Sequence, residues 1–454
     1  MSNPAKVYVV AGLTMVALLL LYYLPEIKVG DTPLRKVDLL ADIDPRNTLP
    51  DDTVAGKAPD TLAHAVKNTE KGAWEYSWPK GVEPILDFGT ENGSGMDRFY
   101  AALAQAGKMN RPVRIAYLSD SFVEGDIMLL DLRRSLQERF GDGGLGWMRC
   151  RTYFDEGTYA ASLVSSGFEP RHIMKPKSLS MGEYILPQGY CEVNGSASMT
   201  VSAIAGGFSG TWSRVTAWGY TEAGASVSAA GKTVHWKGSK SIQSASFTAQ
   251  NSRKFSMSVS GRAKMFGVSL ENAHGIVVDN FGMRGSSGLT LAQMSKRLSE
   301  EFAREHPYDL VVVHFGLNAI SQASGEKVCS AYVSEMKKSI AYVKRLYPHS
   351  AVLVVSASDM ASRNASTGVV QTMAVVPTLV RHQEKMAADM EVGFVNLYNM
   401  MGGRNSVVKM VERHLAEKDY THLNRRGGEV VAKAFAQSVI AGYKNYQRKK
   451  AEGY

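Results

Sequence analysis

Cysteine is scarce in this 454-residue chain: only Cys150, Cys191 and Cys329 are present. No two stand at CxxC spacing, which excludes a redox motif or a zinc knuckle, and three are too few for a disulfide scaffold. Cys150 and Cys191 flank one region and could pair outside the cytoplasm; buried free thiols fit the spacing equally well. No His, Cys, Asp or Glu cluster has metal-ligand spacing, so no metal and no other cofactor is expected. The formal charge is +9, but basic repeats interleaved with aromatics are missing, which argues against nucleic acid as a partner. Acidic glycans or anionic lipid remain compatible with the basic balance. A usable dinucleotide fingerprint is also absent. Gly141-Asp142-Gly143-Gly144-Leu145-Gly146 matches GxGxxG in letters only, because it follows a helix rather than a strand. These glycines are expected to end that helix in a tight loop.

Charge is also lacking over the eighteen residues Val7–Leu24. That run is long enough to cross a bilayer as a helix, with Tyr22 and Tyr23 at its far end where interfacial aromatics belong. Lys6 precedes it, and no small-x-small cleavage site follows. It therefore reads as an uncleaved membrane anchor over residues 1–28, with the body of the chain exported. Residues 29–95, broken by Asp44-Pro45, Thr48-Leu49-Pro50 and Pro59-Asp60, read as a stalk or lead-in.

From there the chain divides by periodicity. Val113–Leu118 reads as a strand, and Leu129, Leu132, Leu136 and Phe140 recur at helical spacing after it. Between Tyr153 and Ala273 helical periodicity disappears, and short Ser-, Thr- and Gly-rich strands recur. These include Ser198–Ile204, Ser213–Tyr220, Thr233–Lys237, Lys254–Ser260 and Lys264–Leu270. This spacing suggests an all-β sandwich or jelly roll over residues 153–273. Trp212, Trp218, Tyr220 and Trp236 could stack on sugar rings there, or fill the β core. The α/β pattern resumes with strands at Ile276–Phe281, Asp309–Phe315, Ala351–Ser356 and Val392–Leu397. A helix is expected at Pro377–Met390, and a final one from Gly428 to Tyr443. The fold class is therefore α/β: a doubly wound parallel sheet over residues 96–152 and 274–454, interrupted by a β module.

In such a sheet, ligands bind outside the carboxyl ends of the strands. Ser121 follows the first strand at the start of a helix, where it is either a nucleophile or a helix cap. Gly285 lies in the turn after the second strand, where a bare backbone N–H can approach a substrate. Asn318 follows the third strand and offers a side-chain amide, or a cap. Asp419 and His422 sit in a loop before the last helix. Together they supply a nucleophile, a base, an orienting acid and oxyanion donors, the inventory of acyl transfer.

Ser119-Asp120-Ser121, Gly285, Gly316-Leu317-Asn318-Ala319 and Asp419-Tyr420-Thr421-His422 fall in an order that resembles the SGNH or GDSL-type hydrolases. The resemblance implies a flavodoxin-like sheet. It implies that Ser121 attacks an ester carbonyl, that His422 relays the proton, and that Asp419 orients the imidazole. It also implies an oxyanion hole formed by the Ser121 N–H, the Gly285 N–H and the Asn318 side chain. Ser119 stands where the family has its first Gly, and Ala319 where it has an Asp. The inserted β module and the anchor are similar to those of exported peptidoglycan or polysaccharide O-acetyl esterases. That likeness implies an acetylated glycan substrate, an inner-membrane attachment and a site in the periplasm or outside the cell. The same triad would serve an O-acetyltransferase working with a membrane-bound acyl-donor partner, or stand silent in a glycan-binding protein. No broad apolar lid segment lies near the site, which speaks against a lipase.

Overall fold

The computed structural model describes residues 28–29, 32–33, 74–89, 95–151, 158–173, 182–204, 210–364 and 366–454. The anchor expected at Val7–Leu24 lies outside them. Among the described residues no helix is long and apolar enough to cross a membrane. The chain forms two units, divided at Ala55–Gly56. In the first, Lys28–Val29 pairs antiparallel with Thr32–Pro33. All that follows belongs to the second.

Among the described residues its main sheet has six strands: β1 (Ile85–Asp87), β2 (Val113–Ser119), β3 (Ile276–Gly282), β4 (Leu310–His314), β5 (Ala351–Val355) and β6 (Gly393–Val395). Their order is β3-β2-β4-β5-β6-β1, with β1 antiparallel at one edge and the others parallel. Counting only the parallel strands, this is the flavodoxin-like order, whose direction reverses between β2 and β4. Both faces of the sheet are covered, which explains the unbroken apolar runs. Along β2, Val113, Ile115 and Tyr117 enter one core and Ala116 and Leu118 the other. On the first face lie helix α1 (Asp97–Ala104), through Phe99 and Leu103, helix α2 (Leu129–Phe140), through Leu129, Leu132 and Leu136, and helix α6 (Arg425–Ala451), through Val431, Phe435 and Val439. On the second lie α3 (Lys296–Glu305), α4 (Glu326–Leu346) and α5 (Val375–Asp389), through Phe302, Ile340 and Leu379. Each such side chain contributes about 1.5–3 kcal/mol by leaving water.

Three boundaries differ from expectation. Residues 74–89, read as stalk, pack on this domain: Ile85–Asp87 forms the edge strand, and Asn445 of α6 pairs with the Ser77 backbone. Three strand residues are too few to register as a periodic pattern. Helix α6 starts at Arg425, because Asn424 accepts from the Gly427 N–H and caps it, and it continues through the basic Lys444–Lys450 cluster. That cluster is tied down by Lys449 on Asp97 and Arg448 over Trp74. The glycine run is not a plain loop: Gly144–Met148 is a strand paired with Val268–Glu271, so the β sheet begins ahead of residue 153.

Among the described residues the β module is a nine-stranded sheet built on one eighteen-residue strand, Lys254–Glu271. Its first part pairs with Tyr190–Ala203 and Ala225–Ala229, its second with Trp212–Thr221 and Gly144–Met148. Val215, Val227, Phe247, Met257 and Met265 from both parts share one core. The expected break between Lys254–Ser260 and Lys264–Leu270 does not occur, since Gly261 passes through in strand pairing. Trp212, Trp218 and Trp236 are core residues, not an open sugar platform: all are buried, with Trp218 Nε1 donating to Ser269 Oγ and Trp236 Nε1 to Ser244 O. Cys150, Cys191 and Cys329 are buried free thiols, so no Cys150–Cys191 bridge is formed. Burial pushes the Cys191 thiol up to about 12.

Candidate active site

Strand β2 ends at Ser119, and Asp120 caps the 3-10 segment Ser121–Asp126 by accepting the Phe122 N–H at 3.0 Å. The cap is therefore Asp120, and the Ser121 hydroxyl is left for other work. Ser121 Oγ lies 2.9 Å from His422 Nε2. His422 Nδ1 lies 2.6 Å from Asp419 Oδ2. With an ionised Asp419 this second bond fixes the tautomer: Nδ1 carries the proton, and Nε2 is free to accept from Ser121. Asp419 Oδ1 accepts from the N–H groups of Thr421 and His422, each at 3.0 Å. Partial burial alone would raise the Asp419 carboxyl. The His422 ring bond and the two backbone N–H groups outweigh it and hold Asp419 below its ordinary value.

The oxyanion donors were expected on three elements. After β3, Gly285 adopts φ +74° in an exposed turn closed by Ser286 N–H to Met283 O at 3.0 Å. That backbone favours glycine, and among the described residues its N–H makes no hydrogen bond. Among the described residues the Ser121 N–H, at the first position of its 3-10 segment, likewise makes no hydrogen bond. Asn318, after β4, is placed differently from expectation. Its Nδ2 donates to Asp120 Oδ2 at 3.0 Å and to Ser286 O at 3.1 Å. Both amide hydrogens are thus engaged, and Asn318 joins the Ser121 turn to the Gly285 turn. Two of the three expected donors remain open.

Sequence reading overlooked the groups that hold this frame. Asp120 is buried and its carboxyl is pushed up to about 6 by that burial, against the hydrogen bonds from Phe122 and Asn318. Glu124, three residues past Ser121, accepts from Arg284 Nε at 2.7 Å, beside Gly285. Asn280 donates to Val123 O and Asp126 Oδ1, both at 2.8 Å. The adjacency of Asp120 to Ser121 and of Arg284 to Gly285 was visible in the sequence, but their partners are not local. His314, at the end of β4, is buried against Tyr117 and Phe122, and burial lowers its ring to about 3. It is a neutral core histidine. Among the described residues no cluster of His, Cys, Asp and Glu could hold a metal ion.

Residues 246–430 match the GDSL-like Lipase/Acylhydrolase family. The matched span takes in Gly285, Asn318, Asp419 and His422, while Ser121 lies ahead of it, beyond the inserted β strands. No curated protein matches the chain. Among solved structures, a peptidoglycan O-acetylesterase superimposes with a TM-score of 0.62 at 20% identity, covering 79% of this chain and 99% of its own. A carbohydrate acetylesterase from Sinorhizobium meliloti gives 0.26 at 17% identity, over 37% of this chain and 79% of its own. An acetyl xylan esterase gives 0.27 at 14% identity, over 35% and 79%. The strand order and the superposition give the α/β domain the fold of an SGNH-type hydrolase, and the matched segment with the four blocks around one sheet edge makes the chain similar to the GDSL-like acylhydrolases.

Proposed function

We propose that the chain is a serine esterase that removes O-acetyl groups from an envelope or extracellular polysaccharide of the peptidoglycan kind. In this reading Val7–Leu24 anchors it in the inner membrane and the catalytic body lies in the periplasm or outside the cell. The observation that carries the chemistry is the continuous relay Ser121–His422–Asp419, with contacts of 2.9 and 2.6 Å. Ser121 Oγ attacks the acetyl carbonyl as its proton passes to His422 Nε2. The developing oxyanion takes hydrogen bonds from the Ser121 and Gly285 N–H groups. The C–O bond to the sugar breaks, and His422 returns the proton to the departing sugar hydroxyl. Water, deprotonated by His422, then attacks the acetyl carbonyl; the ester bond to Ser121 Oγ breaks, His422 returns the proton to Ser121, and acetate leaves.

The O-acetyl specificity is supported by the likeness to a peptidoglycan O-acetylesterase along nearly its whole length. The same relay would serve transfer to a second sugar. The His422 and Asp419 side chains are 44% and 51% exposed, which gives water ready access and favours hydrolysis. The test is acetate release from an activated acetyl ester and from O-acetylated peptidoglycan, with and without acceptor sugar. Ser121→Ala is expected to lower kcat by about 10⁴-fold or more. Release that persists in Ser121→Ala, or none from folded wild-type protein, overturns the esterase reading. Acetylated acceptor in place of free acetate would favour the transferase.

A further inference from the structure

The buried tryptophans leave open which aromatic, if any, receives a sugar ring. Among the described residues of the β module one large aromatic is exposed: Tyr159, at 46%. Its position is tied to the site from two directions. The Tyr159 N–H donates to Gly125 O at 2.9 Å, on the same 3-10 segment that begins with Ser121. The Arg425 guanidinium lies 5.6 Å from the centre of the Tyr159 ring, and Arg425 follows His422 by three residues. Arg425 is itself held by an ion pair with Asp131 of α2. From the module side, Ile204 N–H donates to Ala160 O at 3.0 Å, so the residue next to Tyr159 is fastened to the module's strands. Tyr159 is therefore held at its backbone, with its ring against a cation and half open to solvent, between the elements that carry the nucleophile and the base.

Flat apolar faces of pyranose rings suit such a surface, and a rigid aromatic orders a ligand at low entropic cost. We propose that Tyr159 is the sugar-stacking residue of a subsite beside Ser121, supplied by the module to the hydrolase domain. It would hold the glycan ring while the acetyl group reaches the nucleophile. This rests on the glycan reading above and names the residue that would confer it. The small acetyl ester, which has no sugar ring, supplies the reference.

The experiment compares full-length wild type, Tyr159→Ala and Tyr159→Trp on O-acetylated peptidoglycan fragments and on the small acetyl ester. Loss of one stacking contact should cost Tyr159→Ala about tenfold more in kcat/KM on the glycan than on the small ester, mainly through KM. Tyr159→Trp should recover most of it. Equal losses on both substrates would show a purely structural ring, and no loss on the glycan would show an idle one; either overturns the proposal. A second arm does not depend on turnover. Binding of the same fragments is followed by ligand-observed NMR in Ser121→Ala and in Ser121→Ala/Tyr159→Ala. Weaker binding in the double variant supports the subsite even if wild type releases no acetate, a result that would defeat only the esterase reading. Fragments that bind both variants equally, or neither, overturn the subsite while leaving small-ester hydrolysis intact.

Discussion

Beside Ser121, a buried carboxylate sets a condition on the whole site. Asp120 sits at 6% exposure, and its carboxyl is raised from an ordinary 3.8 to about 6, chiefly by burial. A raised carboxyl means that the folded state holds the proton more tightly than the unfolded one. Stability from this group is therefore fully present below pH 4 and is lost as the pH rises through 6. The shift corresponds to about 3 kcal/mol. Asp120→Asn removes the titration. The melting temperature of the wild type, measured against Asp120→Asn, should fall between pH 4 and 6 and stay level above that. Parallel curves for the two proteins would show that Asp120 ionises without penalty. Asp120 was legible as a neighbour of Ser121, but not as the acceptor for Asn318. That contact joins positions far apart in sequence, and only the register of β2 beside β4 brings them together.

Among the elements, α6 is the one whose placement aligns the relay. It begins just after His422, and Gly428 in its second turn lies against the carbonyl of Ile127, the residue that follows the Ser121 segment. A Cβ at Gly428 would stand 1.9 Å from Ile127 O. Two rigid backbones meet there, so Gly428→Ala must push α6 away from the segment before α2. Overpacking of this kind costs about 1–3 kcal/mol. The same displacement lengthens the Ser121–His422 contact, so kcat should fall at temperatures where the variant is still folded. A variant with a lower melting temperature but unchanged kcat would uncouple α6 from the relay. The periodicity of α6 was legible through Val431, Phe435 and Val439, whereas its amino-terminal turn was not. Gly427 and Gly428 have low helix propensity, and it is close packing and the Asn424 cap that hold them helical. The same contrast runs through the sheets. The buried parallel strands announced themselves as apolar runs. The fourteen-residue strand Ser239–Ser252 was missed, because it presents serine, threonine and glutamine to solvent and only Ala245 and Phe247 fully to the core.

Taken whole, the β module is fused to the hydrolase domain rather than tethered to it. Trp147 and Trp218 of the module share one hydrophobic core with Phe281 and Phe302 of the α/β domain. At the centre of the seam, Arg114 of β2 makes two hydrogen bonds to Glu271, at 2.6 and 2.8 Å, and both side chains are buried. Asp279 of β3 accepts from the Trp147 N–H and from Tyr308 Oη, each at 2.8 Å. Sequence patterning located the module by its change of composition. It could not reveal the seam, because nothing local in the sequence links Arg114, inside the predicted strand Val113–Leu118, to Glu271. Buried together they satisfy one another, and removing Glu271 leaves the buried Arg114 guanidinium without its carboxylate partner. Glu271→Ala should therefore cost about 3–5 kcal/mol. It should do so without splitting the unfolding of the α/β domain and module into two steps, since the shared aromatic core remains. Calorimetry of the full chain should show one cooperative transition for both parts in the wild type, displaced to lower temperature in Glu271→Ala. A module transition that separates from the rest in the wild type would mean that the seam is a contact between independent bodies. The position of Tyr159 against Gly125 of the Ser121–Asp126 segment would then depend on how those bodies meet.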